Sequence, residues 1–478
     1  FRCRLGEKEL VFDRTFDRYA MREGVSYDRT LSRWVIVRTG DPENRPVSHA
    51  RYADRIEPQQ LTQPLSPASK KGLGDVHADS LMVRDLDTLS ITSATVNIRI
   101  TTFMYSRPGP RRIEHVYGGE KYYFDAGYVG ALDETLRVCR DRRIAVAAII
   151  LINNAASAAD PVIGPLLQHP DYTSEGNYSM PDMSAFRSVR AYAAALDFLA
   201  GRYCRPDGRY GRIHYWIMHN EVDSGLEWTN MGPGKPVEVY MDAYVKSMRL
   251  CHNIVRRYDA HAWVMASHTH AWAVADNPKT YATREMLEIL NDYCRAEGDF
   301  RWGLAFHCYP HSLYEPKTWL DEKALYTDDT PIVTYKNLEV LDRWIRSPRN
   351  CYEGRLKRPL WLSENGTNSP SYSERDQCEQ AAGFAWGWKK IAALDGIDAH
   401  VWHNWADHEK EYGLLIGLRK LPKEGREPKE VWHVYRAAGT PHEEEAFRKY
   451  LPVIGIGDWN IIRDVPDSCN LSATRRSA

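Results

Sequence analysis

At 478 residues the chain has room for two or three domains, or for one barrel carrying inserted loops. Its 43% hydrophobic and 27% charged residues are ordinary for a globular protein, and 63 Lys+Arg against 64 Asp+Glu leave a net charge of -1. That balance gives no electrostatic footprint for nucleic acid or an anionic membrane surface, and the longest apolar run, Ile144–Ile152, falls far short of the ~18–20 residues that span a bilayer.

The first stretch, residues 1–66, reads as an N-terminal extension, with Ser32–Arg38 as a short strand between Pro-containing polar segments. From residue 67 apolar strands alternate with helical periodicity. Strands are expected at Lys70–Leu73, Ala94–Ile100, Ile144–Ile152, Ile213–Met218, Ala262–Ser267, Trp302–Phe306, Pro359–Ser363 and Ile397–Trp402. Helical spacing follows each of the first seven, at 78–89, 129–143, 183–203, 237–258, 283–297, 334–345 and 374–395. Alternation of this kind predicts a parallel sheet covered by helices, and eight such units predict closure into a (β/α)8 barrel over 67–410. Residues 411–478 are expected to pack back on that barrel. No Gly-x-Gly-x-x-Gly follows the first strand and no Walker loop is present, so nothing favours a nucleotide-binding open sheet. The nine cysteines are scattered singly without a Cys-x-x-Cys pair, which predicts free, mostly buried thiols. The chain starts at Phe1 and shows no signal-peptide pattern, which leaves secreted, periplasmic and cytoplasmic locations all open.

Chemistry in such a barrel sits at the C-terminal ends of the strands. Strand four ends in His219-Asn220-Glu221, and strand seven in Ser363-Glu364-Asn365. A carboxylate closing a mostly apolar strand is costly without a partner or a task. Two of them across one mouth supply an acid for a departing oxygen and a nucleophile or base for an anomeric carbon. Strands five, six and eight end in His268-Thr269-His270, His307-Cys308-Tyr309 and Trp402-His403, and strand three in Asn153-Asn154.

In this combination the sequence resembles the retaining glycoside hydrolases of clan A over about residues 67–410. Trp216–Gly225 and Trp361–Gly366 also resemble an uncharacterised bacterial barrel family within that clan. The resemblance implies Glu221 as acid/base, Glu364 as nucleophile and Asn220 on the sugar 2-hydroxyl. It further implies His307 lining the subsite, Tyr309 holding the nucleophile ionised, Trp402 flooring the subsite and Arg99 as a cation near the nucleophile. It implies an oligosaccharide or polysaccharide substrate, no cofactor, no nucleic acid and no membrane span; it leaves oligomeric state open.

His268, His403, Asn154 and Trp228 join as further substrate-binding candidates, with Trp272 and Trp405 as other possible sugar platforms. Asp223 and Glu227 read as solvated or helix-capping loop acids. Two insertions, Thr101–Tyr128 and Asn153–Asp182, are expected to rise over the mouth and to favour end-on attack. Two rival readings stay open: a metal-dependent barrel hydrolase using His268, His270 and His307, and a non-catalytic sugar-binding barrel.

Overall fold

A computed structural model describes residues 15–22, 24–53 and 55–463. Eight parallel strands close on themselves: β1 (Lys71–Leu73), β2 (Ser93–Arg99), β3 (Ala145–Leu151), β4 (Tyr215–Met218), β5 (Trp263–His268), β6 (Trp302–Phe306), β7 (Leu360–Asn365) and β8 (Ala399–Trp402). Seven principal helices alternate with them: α1 (Ser80–Thr88), α2 (Ala126–Asp141), α3 (Phe186–Tyr203), α4 (Val237–Val255), α5 (Thr283–Glu297), α6 (Glu339–Arg346) and α7 (Glu374–Ala393). A further helix, α8 (Glu430–Ala437), follows β8 and packs on α7. The architecture is a (β/α)8 barrel. No helix among the described residues is long and apolar enough to cross a membrane.

The two faces of each strand explain why the barrel is solid. Ala145, Ala147, Ile149 and Leu151 of β3 point inward with Tyr215, Ile217, Met265, Trp361 and Val401, and the Tyr215 and Trp361 rings lie 4.5 Å apart. The intervening residues of β3, Val146, Ala148 and Ile150, join the larger core between barrel and helices. This period of two decides which strand-end residues can see the mouth.

The seam between β1 and β8 is tight. His400, Val401 and Trp402 pair with Lys71, Gly72 and Leu73. A Cβ on Gly72 would lie 2.4 Å from Ser93 Oγ and 2.9 Å from Val401 Cγ2, so only glycine lets the strands approach there. Tyr435 of α8 fastens the seam from outside: its hydroxyl accepts from Gly72 N–H (3.1 Å) and donates to Gly72 O (2.6 Å).

Two expectations outside the barrel are corrected. Ser32–Arg38 forms no strand; Trp34 and Val37 make only single bridges, to Arg51 and Pro46, and both side chains are exposed, so no buried face fixes a register. The N-terminal region instead contributes a hairpin of Tyr19–Arg22 and Val25–Asp28. The first insertion does not roof the mouth. It folds into a three-stranded antiparallel sheet of Met104–Tyr105, Glu120–Asp125 and Arg112–Tyr117, turned at Gly118-Gly119. That sheet packs outward on α3, with Phe124 stacked on Phe198 at 3.9 Å and His115 Nε2 3.1 Å from Asp197 Oδ2. The seven described cysteines are free; five are buried, and Cys351 and Cys378 half-buried.

Candidate active site

Two local irregularities aim the carboxylates. After β4 the chain turns through Glu221 with φ 40°, a left-handed conformation that non-glycine residues rarely adopt and that clusters at functional sites. The turn is held by Glu221 N–H, which donates to Ser267 Oγ of β5 at 3.1 Å. In β7 the register against β8 shifts between Leu362 and Asn365, a bulge that re-aims Glu364 at the strand end. Asn365, just beyond, is buried and accepts from Cys308 N–H at 2.7 Å, which ties the ends of β6 and β7 together.

The result brings Glu221, His307 and Glu364 together, with one oxygen or nitrogen of each lying within 4.8 Å of the others. His307 Nδ1 and Glu221 Oε1 share a hydrogen bond of 2.7 Å, and Tyr309 OH donates to Glu364 Oε1 at 3.1 Å. The Glu221 side chain keeps 15% exposure and so opens to the mouth, whereas His307 is buried at 1%. Burial raises the Glu221 pKa above its usual range; His307 opposes this, and the charges of Glu364 and Asp223 add to it. Burial disfavours a charged His307, but Glu364 and Glu221 outweigh it and raise its pKa. Burial likewise pushes the Tyr309 hydroxyl well up, so it stays a donor to Glu364. Glu221 and His307 thus form a proton-holding pair facing a second carboxylate.

Glu221, His307 and Glu364 are also, among the described residues, the one group of three such side chains whose geometry could hold a metal ion. In the 2.7 Å contact His307 Nδ1 and Glu221 Oε1 share a proton, the geometry of an acid–base pair. The histidine cluster expected from sequence is not assembled. His268 Nδ1 lies 3.6 Å from Asp223 Oδ1, and His270 Nε2 lies 3.6 Å from Asp276 Oδ2, and neither joins His307.

Several single residues fall elsewhere than expected, mostly for reasons of strand parity. Trp402 is fully buried and turned away from the mouth. It packs against Phe384 of α7 and Tyr435 of α8, and its Nε1–H donates to Ile416 O at 3.1 Å. On β8 it is Ala399 and Val401 that face inward, so the next mouth-facing residue is His403. His268 is also fully buried: it shares the outward parity of Val264 and Ala266 and turns to Asp223 instead of substrate. Asp223 is itself buried, not solvated, and accepts from Thr269 N–H at 2.9 Å and from the Thr269 hydroxyl. Asn154 caps a short 3-10 helix through Ser157 N–H (2.9 Å), and Asn153 is the residue that continues the inward face of β3, its Oδ1 buried without a partner. Trp272 and Trp405 are buried, their indole N–H groups donating to Asp328 O and Asp85 Oδ2.

Arg99 stands at the exposed end of β2, where its Nε–H donates to Tyr178 OH at 3.3 Å. Tyr178, from the second insertion, stacks with Trp228 at 6.2 Å and 28°. The rim therefore has an aromatic wall from Tyr178 and Trp228 with Arg99 against it. Half-buried Asn220 sits beside Glu221, its carbonyl accepting from Thr229 Oγ1 at 2.8 Å. Tyr178 and Glu411 (which bonds His403, 3.2 Å) were not singled out from sequence. Asn153 and Asn154 both close strand three, and parity counted from Leu151 turns Asn153 inward; Tyr178 and Glu411 come from loops with no period to read.

A family model described as a family of unknown function, DUF5722, matches residues 63–462. No curated relative matches the chain. Among solved structures, the chain is similar to a family 39 glycoside hydrolase from Bacteroides cellulosilyticus WH2 (14% identity, TM-score 0.47), covering 80% of this chain and 66% of that one. It is similar to a glucosidase from Croceicoccus marinus (12%, 0.47; 79% and 69% covered). It is also similar to a GH5_18 protein from Bifidobacterium longum subsp. infantis (10%, 0.48; 81% and 79% covered).

Proposed function

The chain belongs to this family of unknown function, DUF5722, and from that premise and the geometry of the mouth we propose that it hydrolyses β-glycosidic bonds of an oligosaccharide or polysaccharide with net retention. The supporting observation is the pair Glu221 and Glu364, from the ends of β4 and β7, with carboxylate oxygens within 4.8 Å of each other. Carboxyl groups about 5–5.5 Å apart suit attack by one of them on the sugar, whereas inversion needs about 6.5–9.5 Å to admit a water.

In this reading Glu221 is the proton donor. Its raised pKa keeps it protonated until the glycosidic oxygen departs, and the hydrogen bond from His307, which lowers that pKa, steadies the carboxylate left behind. Glu364, held by Tyr309, attacks the anomeric carbon and forms a glycosyl ester, which removes its charge. Glu221, having given up its proton, then takes one from water as that water cleaves the ester. The Tyr178–Trp228 wall offers a flat apolar surface with polar edges, suited to a sugar ring.

Proton NMR of the product formed from a panel of aryl β-glycosides tests the reading. The β-anomer is expected first; the α-anomer first would overturn retention, and no turnover across the panel would overturn the activity. The pH dependence carries a sign. As pH rises through the elevated Glu221 pKa, the donor is lost, so kcat/KM falls on the alkaline side. Because His307 lowers the Glu221 pKa, His307→Ala should move that alkaline limb to higher pH while reducing kcat. A limb that stayed put would separate His307 from the donor.

A further inference from the structure

The mouth holds a second carboxylate-bound histidine that the proton transfers above do not use. His403 follows β8 on the inward parity of Ala399 and Val401, and its backbone N–H donates to Asn365 O at 2.8 Å, one residue from Glu364. Its ring keeps 20% exposure, and Nε2 lies 3.2 Å from Glu411 Oε1. Glu411 comes from the segment after β8, and that segment is fixed at many points. Leu415 N–H donates to Asn368 Oδ1 (2.7 Å), Gln380 Nε2 donates to Leu415 O and Ile416 O (3.2 and 3.3 Å), and Ser369 N–H donates to Leu415 O (3.1 Å). A Cβ on Gly366 would lie 2.3 Å from Ile416 Cγ2 and 2.7 Å from His403 O, so the segment closes directly on the chain leaving Glu364.

We propose that the His403 imidazolium, anchored by Glu411, is a positioning residue for Glu364, balancing its negative charge and holding its carboxylate toward the sugar. The inference rests on the glycosidase reading for what Glu364 does, though not for the electrostatics. The charged groups acting most strongly on the ring are acidic: Glu364 from β7, Glu411 from the segment after β8, and Asp75 from the loop after β1; His307 of the Glu221 pair lies on the other side of Glu364 and His408 beside Glu411. Burial works against the charged ring, yet Glu364 first and Glu411 next raise its pKa to about 9. Reciprocally, His403 lowers the Glu411 pKa, helped by Asn404. Arg99, the cation expected beside the nucleophile, is instead engaged with Tyr178 at the rim, so His403 supplies the positive charge at this place.

Two readouts test this separately from hydrolysis. NMR titration of 13C-labelled histidine should give His403 a pKa near 9 in the wild-type protein and one lowered by a unit or more in Glu364→Gln and in Glu411→Gln. A normal wild-type value, or one indifferent to Glu364→Gln, would overturn the inference even if glycosides are cleaved. In turnover, His403→Gln should lower kcat about 10–100-fold with little change in KM, and His403→Arg should recover much of it by restoring the charge. Equal loss in both variants, with folded circular-dichroism spectra, would reduce His403 to a packing residue. If no glycoside is turned over, the titration alone still decides the point.

Discussion

Glu364→Ala is expected to leave no measurable turnover of aryl β-glycosides, and azide to restore it with the α-glycosyl azide as product. With the carboxylate gone, an external anion small enough to occupy the space attacks the anomeric carbon directly, and a single displacement inverts it. Glu221→Ala should behave differently. Activated leaving groups need little protonation, so Glu364 still forms the glycosyl ester, and azide then attacks that ester to give the β-azide. With a poor leaving group Glu221→Gln should lose about 10²–10⁴-fold, the usual worth of a placed general acid. The stereochemistry of the two azides, read by NMR, assigns the roles independently of rate. The same anomer from both variants would refute the division of labour between the residues.

The second large effect concerns stability. Arg419, from the segment after β8, makes a two-pronged ion pair with Asp85 of α1, Nε to Oδ2 at 2.5 Å and Nη2 to Oδ1 at 2.7 Å. Both side chains are nearly buried, and Trp405 Nε1–H donates to the same carboxylate at 2.7 Å. Arg419→Met removes the cation and leaves a buried carboxylate with an indole donor only. A loss of about 3–5 kcal/mol in urea unfolding is expected. Adding Asp85→Leu removes the stranded charge and should recover most of it, leaving the unpaired indole of Trp405 at about 1–3 kcal/mol. A double variant no more stable than Arg419→Met would show that the cost lies in lost packing.

The barrel was readable in the sequence because most strands are short apolar runs and each helix carries its own period. Strand six and α5 fall at the residues expected, and Trp302–Phe306 and Thr283–Glu297 match residue for residue. Glu221 and Glu364 stood out for the same reason, as charges interrupting apolar runs. What failed was direction. Trp402 and His268 are the right residue types at strand ends but carry the outward parity, which strand bounds uncertain by one residue cannot decide. Ser32–Arg38 failed because β-propensity without a buried face specifies nothing. Arg99 lies at the mouth but is engaged by Tyr178, a residue of an irregular insertion whose path leaves no periodic trace. The turn at Glu221 and the bulge at Glu364 are backbone choices that side-chain pattern does not encode.

The Tyr435 hydroxyl that grips both backbone groups of Gly72 gives the order of synthesis a consequence. A nascent chain that has delivered β1 to β7 holds an open sheet, with β1 and β7 as raw edges available to any passing strand. Closure awaits β8, and the clasp across the final joint awaits α8, more than 350 residues after its target left the ribosome. Until then the curved sheet is a substrate for chaperones and for its own neighbours on the polysome.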